Sequence, residues 1–115
     1  VIENVPRAPI NTTVWLDGTM FPGLRVIRKR LFECSFPVQQ MASTAYPGMV
    51  KNGDAISVHG GGCRHGRPGH TTKAFRKAMG INWMTRDEIV ESIPPAFAAF
   101  IGRNALQAMA LQGLA

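Results

Sequence analysis

Between Pro37 and His70 the chain carries three prolines and seven glycines, and no long helix or strand can cross such a stretch. Proline removes a backbone donor and glycine resists being fixed in one conformation, so regular structure has to lie mainly on either side. The two sides read differently. Upstream, residues 1–5 form an apolar run that delivers Glu3, Asn4 and then Pro6, the pattern of a buried strand presenting Glu3 at its carboxyl end. A polar turn region follows around "RAPINTT". In "GLRVIRKRLFECSF", Leu24, Val26, Leu31 and Phe32 are interleaved with Arg25, Arg28, Lys29 and Arg30, which predicts one or two half-buried strands. Inside the glycine- and proline-rich stretch, "AISVHG" is a short β-branched strand, and "HGGGCRHGRPGH" holds five glycines and no acid.

Downstream the signals are helical. Thr71 or Thr72 caps "KAFRKAM", and Gly80 ends that helix in the left-handed conformation. Thr85 and Glu88 form a capping box, with Met84 placed to staple onto Ile89. Ser92, Pro94 and Pro95 close that helix and open another. From Ala96 to Leu111 the residues Phe97, Ile101, Ala105, Ala108 and Leu111 share one helical face.

With 115 residues, 45% of them hydrophobic and 17% charged, the chain supports one modest core and a single domain or less. A formal charge of +6 attracts polyanions, nucleic acid first and acidic lipid second. No apolar run reaches the ~20 residues of a membrane span, and the start lacks the order of a signal peptide. These features predict a soluble, cytoplasmic protein. Cys34 and Cys63 are too few for a disulfide framework, which agrees with a reducing compartment.

Three groups of residues could carry chemistry. His59, Cys63, His65 and His70 are zinc-type ligands, but their spacing fits no closed four-ligand set. Contact of Arg64, Arg67 and Lys73 with phosphates, or plain flexibility, is favoured over metal binding for that loop, since glycines permit close backbone approach and arginine forks match phosphate oxygens. Arg28 and Arg30 stand two apart, so on a strand both guanidiniums point one way, toward an anionic or carbonyl-rich ligand. A charged edge strand guarded against aggregation is the simpler alternative. Glu3, if burial raises its pKa toward neutrality, can protonate or hydrogen-bond a ring nitrogen; otherwise it caps a turn.

Four stretches together resemble the C-terminal half of DNA (cytosine-5) methyltransferases of the kind common in phages and actinobacteria. Glu3-Asn4-Val5 matches that family's Glu-Asn-Val motif, and Arg28-Lys29-Arg30 before Leu31-Phe32 matches its Arg-x-Arg strand. "MTRDE" resembles its Thr-Pro-Arg-Glu helix start, and "ESIPPAFAAFIG" its closing cofactor-loop motif, with Val90-Glu91 where Gly-Asn is usual. Val26 stands where a glutamine commonly precedes the paired arginines.

The resemblance implies the end of a Rossmann-like α/β domain that uses S-adenosylmethionine to methylate cytosine in double-stranded DNA. By it, Glu3 contacts nitrogen 3 of a flipped cytosine, and Arg28 and Arg30 steady the base's carbonyl oxygen and the catalytic loop. Glu91, Ser92 and Ile93 take the cofactor-binding positions, and Arg64, Arg67 and Lys73 the DNA contacts. Residues 1–33 become the last strands of the catalytic domain, 34–72 a short target-recognition-like region, and 73–115 the closing helices. Neither cysteine has the Pro-Cys context of the family's nucleophile, and no glycine-rich cofactor loop precedes Glu3. The expectation is a chain inactive alone, completed by an N-terminal half of the same polypeptide or by a partner chain. The alternative is a small, non-catalytic, basic nucleic-acid-binding protein.

Overall fold

Regular structure falls where the breakers permit it, in short pieces. The computed structural model describes residues 1–58 and 71–113. Its elements in chain order are β1 (Ile2–Asn4), β2 (Val14–Leu16), β3 (Val26–Ile27), β4 (Arg30–Glu33), β5 (Ile56–Ser57), α1 (Thr72–Met79), α2 (Arg86–Glu91) and α3 (Pro95–Leu111). This is a mixed α/β chain with small sheets. One sheet is antiparallel in the order β1-β4-β2, and β3 pairs in parallel with β5. Glu3 lies opposite Phe32 and Leu16 opposite Arg30, so β4 carries the register for both of its neighbours.

The two outer edges of the antiparallel sheet are treated differently. Along β2, the Gln40 side chain stands in for a further strand: its Oε1 accepts from Trp15 N at 3.0 Å and its Nε2 donates to Trp15 O at 2.9 Å. β1 pairs only with β4 among the described residues, and all three of its residues are exposed, Ile2 at 48%. The predicted buried first strand is therefore corrected to an exposed edge strand. Its alternation of Ile and Glu suits an edge as well as an interior, because burial depends on what lies beside and above the strand and not on its own pattern.

Among the described residues, two apolar clusters make the interior. Val26, Val58, Phe75, Met79, Ile81 and Ile89 join α1, α2 and the parallel pair. Val14, Leu16, Phe32, Cys34, Phe97 and Ile101 join the antiparallel sheet to α3. Phe75 and Phe97 are each fully buried at the heart of one cluster, a burial that contributes ~1.5–3 kcal/mol per ring. Gly18 sits in a tight turn (Gly18–Met20) after β2, where a Cβ would collide with the side chain and carbonyl of Val26. That close approach brings the two clusters side by side.

Local signals explain the helices. Thr71 Oγ1 accepts from Ala74 N at 3.1 Å, and Gly80, at φ 71°, closes α1 in the left-handed region. Both halves of the Thr85–Glu88 capping box form, and Met84 packs on the cluster that contains Ile89. Pro95 opens α3 at its first position, where no intrahelical donor is needed. Phe97, Ile101 and Ala108 are buried along α3, whereas Leu111, predicted on the same face, is 82% exposed. Leu111 is the last residue of the helix, one turn beyond Ala108, its last buried position. β2 falls in a stretch given no element from the sequence, since three residues between Thr12-Thr13 and Asp17-Gly18 are too few to show a period.

A candidate active-site rim beside a buried arginine

Arg28 and Arg30, expected to project together, are parted by the backbone. Arg28 lies in the gap between β3 and β4, while Arg30 begins β4, so the two-residue periodicity that would align them does not hold. This corrects the shared-face expectation.

Arg28 is 6% exposed and turns inward. Its backbone N donates to Asp17 Oδ1 at 3.0 Å. Its guanidinium donates from Nε to Ser92 O at 3.0 Å, from Nη1 to Val58 O at 2.9 Å, and from Nη2 to Val90 O at 2.7 Å and Ser92 O at 2.6 Å. Desolvation, with the nearby charge of Arg30, pushes the Arg28 pKa down to about 10 against a smaller opposing pull from Glu3, and the group stays charged at neutral pH. A buried guanidinium is tolerated here because three carbonyl oxygens take its donors. Asp17, itself buried, is held in turn by Thr19 Oγ1 at 2.7 Å and Ser43 Oγ at 3.3 Å from its Oδ2. The sequence reading missed Asp17; a lone acid closing a short apolar run was the available signal.

Arg30 is less deeply enclosed and reaches the edge strand. Its Nε lies 3.2 Å from Glu3 Oε1, with side-chain exposures of 14% for Arg30 and 35% for Glu3. Nη1 of Arg30 also donates to Lys29 O at 3.0 Å. Cross-strand register explains the pair: Glu3 faces Phe32 on β4, and Arg30 reaches it diagonally. The burial expected around Glu3 is absent, and its carboxylate stands partly in solvent against one guanidinium. Lys29 is turned elsewhere, with Nζ 4.6 Å from the centre of the Trp15 ring.

Of the predicted cofactor residues, Ser92 donates its hydroxyl to Ile89 O at 2.8 Å, and Ile93 packs against the cluster containing Phe97. Glu91 is exposed. Cys34 is a free, buried cysteine at 8% exposure within that same cluster, an inert environment for a thiol. Lys73 is exposed on α1. His59, Cys63, Arg64, His65, Arg67 and His70 lie outside the described residues. Among the described residues no group of three or more His, Cys, Asp or Glu could hold a metal ion, and no helix is long and apolar enough to cross a membrane.

The rim thus consists of a partly exposed carboxylate on edge strand β1 paired with a largely covered guanidinium on central strand β4, beside a loop that Arg28 locks onto the end of α2. Neither a family model, nor a curated protein, nor a solved structure matches this chain.

Proposed function

We propose that the chain is the C-terminal part of a DNA cytosine-5 methyltransferase, acting on cytosine in double-stranded DNA. One observation carries the reading. Arg28, from the second of the four resembling stretches, donates to the carbonyls of Val90 and Ser92 in the last, across 62 and 64 residues of sequence. Glu3, from the first stretch, pairs with Arg30 of the second. Segments far apart in the chain therefore assemble around Arg28 and Arg30, an arrangement that a chance likeness of short motifs does not require.

In this reading Glu3 hydrogen-bonds nitrogen 3 of a cytosine turned out of the duplex, with Arg30 holding the carboxylate in place through Oε1. A protonated nitrogen 3 draws electrons from carbon 6, so a thiolate adds there and carbon 5 becomes nucleophilic. After carbon 5 gains a methyl group and loses its proton, the thiolate leaves. Cys34 is too enclosed to be that thiolate, which comes from the missing N-terminal half or a partner chain. S-adenosylmethionine supplies the methyl group, and the Rossmann-like sheet that would bind it is completed by the same missing part. Of the three residues at cofactor positions, Glu91 is the one whose side chain is exposed, and a carboxylate suits the cofactor's ammonium group. Arg28 acts as a positioning residue, tying the rim to the α2 end.

The test is methyl transfer from labelled S-adenosylmethionine to DNA by the polypeptide that joins this chain to a Pro-Cys half. Glu3→Gln keeps a hydrogen bond but loses the acid, and turnover falls about a hundredfold or more while DNA binding persists. An unchanged rate eliminates Glu3 as the acid. Residues 1–115 by themselves transfer nothing, and transfer by them refutes the missing-half reading. Binding without transfer in the joined protein supports the non-catalytic alternative.

A further inference from the structure

The chain's net charge is concentrated in one segment. Residues 59–86 hold six Lys and Arg and no Asp or Glu, while the seven basic residues elsewhere are matched by the seven acids. In the described part of this segment, Lys73, Arg76, Lys77, Asn82 and Trp83 line an open cleft of about 500 Å³ along α1 and the turn after it.

Trp83 is 65% exposed, and the backbone fixes it there. Ile81 is 1% exposed and Met84 packs on the same apolar cluster, so the turn is anchored on both sides of the indole. Nε of Arg76 donates to Met84 O at 2.8 Å and ties this turn to α1. A lone exposed apolar side chain is ordinary; an indole held at the wall of a cation-lined cleft is a different object. The other tryptophan, Trp15, already has Lys29 over its ring. At the end of α1 two carbonyls are capped, Arg76 O by Ile81 N at 2.9 Å and Lys77 O by Gly80 N at 3.3 Å.

We infer that this cleft binds a nucleic-acid strand, with Lys73 and Lys77 on successive phosphates and an unpaired base stacked on Trp83. Lysine cations along a groove with an aromatic platform are the two parts from which single-strand sites are built. The inference rests on the proposed reading only in taking nucleic acid as the partner. It adds a surface whose lining includes neither Glu3 nor Arg30 and that would grip unpaired nucleotides.

The experiment uses the 115-residue chain with Trp15→Phe, which leaves Trp83 as its sole indole. Titration with a short oligothymidylate should quench Trp83 emission to saturation. In the native background Trp83→Ala should weaken oligothymidylate binding at least about fivefold. The Lys73→Ala, Lys77→Ala double variant should retain folding and lower the slope of log affinity against log salt by about 1.4. Equal quenching by heparin, a polyanion without bases, would leave charge alone and overturn the stacking. Equal quenching by a blunt duplex would overturn the unpaired base. Absence of quenching overturns the site. These readings do not involve methyl transfer, so a fully active Glu3→Gln enzyme would remove the catalytic proposal and leave the cleft standing, and unquenched Trp83 in an active enzyme would do the reverse.

Discussion

Arg28 and Arg30 are separated by one residue and live in different physical regimes. Around Arg28 the guanidinium is enclosed and saturates carbonyls from two distant segments; around Arg30 it meets a single half-exposed carboxylate on a sheet edge. The same side chain serves as a structural clamp in one place and as the partner of a single partly exposed carboxylate in the other. The difference follows from what the backbone gives each one: a break between two short strands turns Arg28 toward both apolar clusters, and the start of β4 leaves Arg30 beside β1.

The sharpest way to break this contrast is to remove the clamp. Arg28→Met fills similar space but withdraws the donors of Val58 O, Val90 O and Ser92 O, and each carbonyl left buried without a partner costs ~1–3 kcal/mol. A loss of about 3–5 kcal/mol in urea unfolding is expected, a large share of the ~5–15 kcal/mol that holds a small domain folded. Arg28→Lys should recover part of it, since one ammonium reaches fewer of the oxygens. A loss below ~1 kcal/mol would mean that Arg28 is no clamp.

A smaller effect belongs to the α2 start, onto whose far end the clamp fastens. Thr85→Ala removes the acceptor for Glu88 N and should cost about 1 kcal/mol. The bonds donated by Thr85, first from its backbone N and then from its hydroxyl, hold the Glu88 carboxyl below its ordinary pKa. A depressed carboxylate stabilises the fold above its unfolded pKa, near ~4.3, and this contribution fades as pH falls through the lower folded value. Thermal melts across that acid range should show native protein losing stability more steeply than Thr85→Ala. The backbone N–H of residue 85 survives the substitution, so parallel curves would show that the Thr85 hydroxyl adds nothing to the hold on Glu88.

How far all this is legible in the sequence depends on the range of the interaction. The caps at Thr71 and Thr85, the Gly80 stop and the proline start of α3 are set by neighbours three or four residues away, and the sequence reading finds each of them, with the first cap open between Thr71 and Thr72. The exposure of β1, the existence of β2 and the inward turn of Arg28 depend on partners 11 to 64 residues off, which no local period encodes. The same holds for the site. Glu3 and Arg30 are legible as candidates from type and position, whereas their pairing needed the β1–β4 register, and the cluster of Asp17 with Thr19 and Ser43 had no local signal beyond a lone acid.

The least stability change, and the most telling one, is expected at the rim. Arg30→Ala removes an ion pair whose carboxylate stands partly in solvent, worth about 0–1 kcal/mol, because solvent and salt screen that side and two side chains must be held still. Urea midpoints of Arg30→Ala and Glu3→Gln should therefore fall close to native, in contrast to Arg28→Met. If the Glu3–Arg30 pair positions an acid for chemistry, the joined enzyme carrying Arg30→Ala should nonetheless lose turnover, because the carboxylate then has no fixed direction from which to meet a ring nitrogen. An Arg30→Ala protein that is as destabilised as Arg28→Met would assign both arginines to structure. One that is stable and fully active would remove the rim from the reaction while leaving the clamp intact.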